Sequence, residues 1–231
     1  MKKLVIASNN MGKLGEIQAL LTPLNIEVLP QSAFNVVEAV EPYCTFIENA
    51  LTKARHASLA TGLPALADDS GLCCEALQGA PGVNSAYFGG ELPEKTSPDA
   101  NNNVGLLNDA NHNVSLLKDA QNNVRLLRDA QNNAHLLKVL KQVDNRFAYY
   151  YCCMVLVRQH DDPQPLIAEG IWKGSILRKA RGNHGFGYDS LFLDAITGKS
   201  AAELTPEIKN KVSHRGHALR KMLLLIQHAT Y

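Results

Sequence analysis

The stretch Leu63-Pro64-Ala65-Leu66-Ala67-Asp68-Asp69-Ser70-Gly71-Leu72 decides the fold. A short apolar run ends in two adjacent carboxylates, the pattern of a buried strand whose tip delivers charge. Neighbouring side chains on a strand point to opposite faces, so one carboxylate can face a cleft while the other is free to hold a metal or a backbone amide. Ser70-Gly71 reads as a turn that leaves backbone N–H groups open to an anion. Taken alone, Asp-Asp-Ser-Gly is more simply a polar turn after a buried strand, and the surrounding segments decide between the two readings.

Upstream, Leu4-Val5-Ile6-Ala7 is a strand that Ser8-Asn9-Asn10-Met11-Gly12-Lys13 turns into a helix through Leu14, Ile17, Leu20 and Leu21. Strand, polar loop and helix N-terminus form an anion-binding arrangement, and Lys13 in the first turn adds a full positive charge. The Walker glycine pattern is absent, so this is not a P-loop. Ile26-Glu27-Val28-Leu29 reads as a second strand, parallel to the first. Thr45 with Glu48 three residues on forms a capping box, opening a helix whose Phe46, Ala50, Ala54 and Ala57 share one face. Lys53 and Glu48 lie near that helix's surface.

Downstream, Gly79-Ala80-Pro81-Gly82 is a turn, and Pro98 marks the entry to a tandem repeat with a ten-residue period. The copies run Asp99 to Asn108, Asp109 to Lys118, Asp119 to Arg128 and Asp129 to Lys138, alike in their Asp-Ala and Leu-Leu positions. The spacing of Ala, Val and Leu predicts a helix, which Asn and Gly105 weaken. Ten residues at about 100° each fall ~80° short of three full turns, so the apolar stripe drifts and a single face cannot stay docked. The extra copies are therefore expected to project from the body or meet a second subunit, away from the cleft. Beyond them, Arg146 to Val157 is a continuous β-rich run, as for a central strand covered on both faces. Leu166 to Gly170 and Gly174 to Leu177 read as a hairpin-like pair broken by glycines. Arg181 to Asp189 is a glycine-rich loop carrying Phe186 and Tyr188, Leu191-Phe192-Leu193 a short strand, and Lys209, Ser213, His214 and Arg215 precede an apolar C-terminal helix.

Composition narrows the function classes. The chain has 231 residues, 45% hydrophobic and 19% charged, with 23 Lys and Arg against 22 Asp and Glu. A net charge of +1 gives no field to hold duplex DNA or an acidic membrane, so the expected partner is a small anion met by local groups. No apolar run approaches the roughly 20 residues of a transmembrane helix, and Met1-Lys2-Lys3 leads into no long signal region, so the cytoplasm is the expected location. The five cysteines include two adjacent pairs and no Cys-x-x-Cys, which reads as reduced, buried small residues.

Together the loops offer lysines (Lys13, Lys53), a helix N-terminus and the Ser70 hydroxyl for phosphates, and carboxylates (Glu41, Asp68, Asp69) for a divalent cation. Phe186 can stack a base, and Lys209, His214 and Arg215 can read one. This describes a nucleoside triphosphate site, with Mg2+ as the expected metal, since a hard ion that keeps several waters suits carboxylates together with substrate phosphates.

In order and spacing, Ser8-Asn9-Asn10-x-x-Lys13, Thr45-Phe-x-Glu48-Asn49-Ala50, Lys53-Ala54, Ala67-Asp-Asp-Ser-Gly71, Gly79-x-Pro-Gly82, Gly185-Phe-Gly-Tyr-Asp189 and Ser213-His-Arg215 resemble the inosine/xanthosine triphosphate pyrophosphatase family. The resemblance covers essentially the whole chain except the repeats, of which the family carries one unit, best matched by the last copy. It implies a single α/β domain over 1–231, an elongated mixed β-sheet with two lobes around a nucleotide cleft, plus a helical repeat insertion at about 99–138. It implies Mg2+-dependent hydrolysis of deaminated purine triphosphates to monophosphate and pyrophosphate, usually by a homodimer. Carried onto this sequence, it puts Asn10, Lys13, Lys53 and Ser70 at the triphosphate, and Glu41 and Asp69 at the metal, Asp69 also activating the attacking water. Phe186, Asp189, Lys209, His214 and Arg215 fall in the base pocket, and Ser8, Gly187 and Tyr188 among the substrate-binding residues. The sequence departs from the family's usual Gly at Tyr43, from Tyr-Ser-Ala-Arg at Asn84-Ser85-Ala86-Tyr87 and from Pro at Ser190.

Asp69 beside cations is expected to have a depressed pKa and to act largely by positioning water. The alternative to an enzyme is a nucleotide-sensing module that binds without turnover, against which a water-activating carboxylate beside three phosphates speaks. A scaffold built on the repeats alone is disfavoured, because four short copies are too few to organise the fold.

Overall fold

The computed structural model of the chain describes residues 2–9, 11–21, 25–90 and 114–229. A six-stranded mixed sheet forms the centre, in the order β2-β1-β3-β4-β5-β6. Its strands are β1 (Lys3–Ile6), β2 (Glu27–Pro30), β3 (Ala65–Cys74), β4 (Phe147–Val157), β5 (Leu166–Ile176) and β6 (Phe192–Asp194). The helices are α1 (Met11–Leu21), α2 (Phe46–Thr61), α3 (Val114–Val139), α4 (Pro206–Val212) and α5 (His214–His228). β1 runs parallel to both β2 and β3, and the remaining neighbours are antiparallel. No helix among the described residues is long and apolar enough to cross a membrane.

Alternation along β3 sets everything that follows. Leu66 packs with Leu14 and Ile17 of α1 and Leu219 and Met222 of α5 on one face of the sheet. Ala65 and Ala67 pack with Ala50, Ala54 and Ala57 of α2 on the other. The small residues of α2 let it lie close on the sheet, and Thr45 caps it by accepting the Glu48 N–H at 3.3 Å, as the sequence predicts. At the far end, Leu72 and Cys74 join Tyr150, Trp172 and Phe192 under Leu136 and Leu140. Each fully buried Leu in these clusters is worth about 1.5–3 kcal/mol relative to exposure.

Two expectations need correction. Ser70-Gly71 is not a turn: β3 runs through it to Cys74, paired with β4 along its whole length, so the two carboxylates sit mid-strand. Gly71 is there for space, since a Cβ would stand 2.1 Å from the Gly82 carbonyl oxygen. Nor do Gly170 and Gly174 break a hairpin, because β5 is one continuous strand. A Cβ at Gly170 would lie 1.9 Å from the His214 carbonyl oxygen, and one at Gly174 would lie 2.2 Å from that of Leu193. In both strands glycine marks a close backbone approach rather than a bend.

β1 contacts β3 only at Val5 and Ile6, opposite Ala65 and Leu66. Beyond that point β3 continues without β1 beside it, and the chain leaves β1 through Ser8 toward α1. The carboxylates therefore lie where the parallel pair parts, the kind of place where α/β sheets bind ligands.

The first repeat copy and the start of the second lie outside the described residues. From Val114 the repeats are α-helix. Leu136 of the last copy is fully buried, whereas Leu126 and Leu127 of the third are about two-thirds exposed, at 65% and 66%. The drifting stripe explains this, since residues ten apart on a helix do not share a face.

Candidate active site

Adjacent carboxylates on β3 meet opposite partners. Asp68 faces α1 and α5: its oxygens accept from Lys13 Nζ at 2.9 and 3.0 Å and from Arg215 Nε at 3.4 Å. Burial alone would raise its pKa, but Lys13 and Arg215 outweigh that and hold it well below the usual carboxylate range. Asp68 is a fixed anion that lines up two cations.

Asp69 faces α2. Its carboxylate accepts from Asn49 Nδ2 at 3.2 Å, Lys53 Nζ at 3.4 Å and its neighbour's N–H, that of Ser70, at 3.1 Å. Lys53 also donates to Glu41 at 3.0 Å, so one ammonium sits between two carboxylates. The expected depression of the Asp69 pKa is not found. Burial, only partly offset by Lys53 and reinforced by Glu41, raises it to about 6. The single ammonium does not neutralise two carboxylates in a partly dry site. Lys53 itself is penalised by burial, yet Asp69 and Glu41 overcome this and raise its pKa, so it is charged at neutral pH.

These partners follow from the helix they share. Asn49 and Lys53 are four apart on α2, at the margin of its alanine stripe, which aims both at the strand. Asn49, 2% exposed, also receives the Tyr43 N–H and donates to the Tyr43 carbonyl, tying the Glu41 loop to Asp69. Sequence reasoning quoted Asn49 in a motif but gave it no role; the usable signal was a polar residue beside a buried apolar stripe.

No group of three or more His, Cys, Asp or Glu side chains converges among the described residues. Glu41 and Asp69, bridged by an ammonium, still suit a small hard cation that keeps its waters and takes further ligands from phosphate. The donor set fits magnesium better than an ion that needs a full protein cage.

Two depressions meet at Lys13. The smaller, about 180 Å³, is lined by Ser8, Lys13, Glu41, Lys53 and Asp68. The larger, about 470 Å³, extends past Ser70 to Phe186, Lys209, His214 and Arg215. Asn10 lies outside the described residues.

The glycine-rich loop from Arg181 to Asp189 is less open than its composition suggests. Tyr188 is buried and donates its hydroxyl to the Ser85 carbonyl at 2.8 Å, so it braces the wall. Asp189 accepts from the Phe186 N–H at 2.8 Å and from Lys209 at 2.5 Å. Of the loop's two aromatics Phe186 is the exposed one, at 41%, with the Lys209 ammonium 4.9 Å from its ring centre. Arg215, expected to read a base, is turned to Asp68 and to the Ser70 hydroxyl at 3.4 Å.

His214 begins α5, which Ser213 caps by accepting the Gly216 N–H at 3.1 Å. Its ring stacks on Tyr150 at 4.7 Å and 11°. Burial, with Arg215 and Lys209 nearby, pushes its pKa well below the ordinary value, so the imidazole is neutral. Its buried Nδ1 has no hydrogen-bond partner, an unmet group that a ligand in the cleft can satisfy.

The extra copies of the repeat were expected away from the cleft, yet Arg125 and Arg128 of the third copy line it, and the last copy holds the loops beside it. Asp129 accepts the Gly187 N–H at 2.8 Å and Asn133 donates to the Gly187 carbonyl at 2.9 Å, gripping both sides of one residue from one helix face. Asn132 accepts from Gly89 N–H at 2.7 Å and donates to the Ala86 carbonyl at 3.1 Å. Polar residues repeated beside Leu-Leu pairs, at helical spacing, were the available signal. The cysteines are free and four of the five are buried, with burial pushing the Cys74 and Cys153 thiols up to about 12.

Comparison with known proteins places the chain in a family. A sequence model of the Ham1 family matches residues 4–123 and 118–225, the two matches overlapping inside the repeats. A dITP/XTP pyrophosphatase of Nitrosomonas europaea is 48% identical over 98% of this chain and 95% of its own. One of Chromobacterium violaceum is 49% identical over 96% and 95%. Among solved structures, a HAM1 protein from Coxiella burnetii superposes with a TM-score of 0.79 at 39% identity, covering 99% of this chain and all of its own (100%). The Staphylococcus aureus Ham1 protein gives 0.75 at 28% identity, over 98% of each. Matched along its length in sequence and in fold, the chain belongs to the Ham1 family.

Proposed function

We propose that this chain hydrolyses deaminated purine nucleoside triphosphates (ITP, dITP and XTP) to the monophosphate and pyrophosphate, with Mg2+ as cofactor. The observation that carries the reading is the pair of depressions joined at Lys13. One end is lined by Lys13, Lys53, Glu41 and Ser8, the other by an exposed aromatic and a buried neutral imidazole with an unmet nitrogen. A triphosphate suits the first end and a purine the second. The names of the relatives, dITP/XTP pyrophosphatases, support the same substrate class.

In this reading Lys13, Lys53 and Ser70 hold the phosphates, and Glu41 and Asp69 hold the metal. Magnesium bound there would supply charge neutralisation for the leaving pyrophosphate. Asp69 orients the water that attacks the α-phosphorus in line and takes up its proton. Asp68 keeps Lys13 and Arg215 in place. Phe186 stacks the base, and Lys209, a pure donor, donates to a 6-oxo group and disfavours the 6-amino group of adenine. The reading takes residues 1–231 as one domain whose two lobes flank the cleft, assembled as a cytoplasmic homodimer. The test is to supply inosine triphosphate with and without magnesium and assay pyrophosphate against orthophosphate. Orthophosphate as the first product would refute it.

A further inference from the structure

We infer that the third repeat copy supplies a cationic wall to the nucleotide cleft, with Arg125 and Arg128 as further substrate-holding residues. The inference rests on the functional reading above and deepens it. Both side chains line the larger depression, on the helix facing Phe186 and Lys209. The Arg125 guanidinium carbon lies 4.7 Å from the Phe186 ring centre, and that of Arg128 lies 4.9 Å from the ring centre of Tyr87.

Charge pairing separates these two arginines from the other cations of the cleft. Lys13 and Arg215 are paired with Asp68, Lys53 with Glu41 and Asp69, and Lys209 with Asp189. Among the described residues, Arg125 and Arg128 make no ion pair and rest only on aromatic faces. A guanidinium held over an aromatic ring keeps its place while its N–H donors stay available to a ligand. An anionic ligand entering the cleft is the partner of opposite charge that this wall fits.

Sequence supports the assignment to the third copy. The positions of Arg125 and Arg128 are occupied by Gly105 and Asn108 in the first copy, Ser115 and Lys118 in the second, and His135 and Lys138 in the fourth. Only the third copy has arginine at both. Its placement is secured from the next copy, because Asp129 and Asn133 hold Gly187 and so fix the helix against the Phe186 loop.

The test compares wild type with the double variant Arg125→Ala, Arg128→Ala and with the double lysine variant. Steady-state pyrophosphate release from inosine triphosphate and direct calorimetric binding of inosine triphosphate in EDTA are measured on each. Both arginines are solvent-exposed, so the melting temperature is expected to hold. The expected result is a KM about tenfold higher in the alanine variant with kcat within about twofold, a matching loss in EDTA binding, and partial recovery with lysine. A folded alanine variant with KM and binding within about twofold of wild type overturns the inference, as does a loss confined to kcat. Were wild type to release no pyrophosphate, the functional reading would fall, while the EDTA binding comparison would still decide whether the wall holds the nucleotide.

Discussion

Asp68 and Asp69 share a strand and differ by one residue, yet the two faces of β3 treat them in opposite ways. On the α1 and α5 face the carboxylate meets two cations and its pKa falls. On the α2 face burial outweighs the one cation, which a second carboxylate must share, and the pKa rises to about 6. The first environment is a satisfied ion cluster and the second is short of positive charge. Satisfied charge makes a scaffold, and unsatisfied charge makes a site that gains by taking in a cation and a polyphosphate.

The largest expected effect separates the two faces by activity. Asp69→Asn keeps the shape and removes the charge, and turnover is expected to fall about a hundredfold or more, about 3 kcal/mol of transition-state stabilisation. Its melting temperature at neutral pH is expected to hold or rise, because the carboxylate lost is one that burial and Glu41 disfavour. More than about a tenth of wild-type turnover would move the water-activating role to another carboxylate.

Asp68→Asn is expected to do the reverse. Removing the anion takes away the carboxylate to which both Lys13 and Arg215 donate, at a cost of about 3 kcal/mol in unfolding free energy measured by denaturant titration. A variant as stable as wild type would mean that Asp68 is not the anchor of that cluster.

The pH dependence should also split by face. Because the folded pKa of Asp69 lies above its unfolded value of about 3.9, its contribution to stability is fully present below that value and is lost as pH rises through about 6. This is roughly 3 kcal/mol at neutral pH without metal, and adding magnesium should restore it, since the cation prefers the ionised carboxylate. Asp68 has the opposite sign: its contribution is present above about 3.9 and lost as pH falls through its lowered folded pKa. Chemical denaturation across the range from acid to neutral, with and without magnesium, checks both slopes. A metal-free stability that only rises from pH 4 to pH 7 would contradict the Asp69 account.

The smallest effect is expected at the loop clamp. Asp129→Ala removes the acceptor for the Gly187 N–H, and a lost bond of about 1 kcal/mol should raise KM several-fold through a looser Phe186, with kcat unchanged.

Much of this site was legible in the sequence, because local rules place its parts. The capping box at Thr45 and Glu48 fixes the start of α2, and the alanine stripe fixes which way Lys53 points. Strand alternation gives Asp68 and Asp69 opposite faces whether they stand at a tip or mid-strand. Three features depended on partners distant in sequence and could not be read locally. Gly71, Gly170 and Gly174 look like turn residues until the Gly82, His214 and Leu193 carbonyls that crowd them are in place. The Asp69 pKa depends on Glu41 arriving from a loop to share its lysine. The repeat helix reaches the cleft because polar residues beside its leucines, Asn132 and Asn133, clamp two loops, a use that apolar periodicity does not register.

The central claim is that the α2 face of β3 completes itself with a divalent cation and the phosphates of a 6-oxo purine nucleotide. The most direct measurement is a panel of inosine, deoxyinosine, xanthosine, guanosine and adenosine triphosphates, each assayed for pyrophosphate and orthophosphate with magnesium and with EDTA. The account predicts magnesium-dependent pyrophosphate release from the first three, with kcat/KM more than about tenfold above that for adenosine triphosphate. Comparable kcat/KM for adenosine and inosine triphosphates, or undiminished turnover in EDTA, would contradict it.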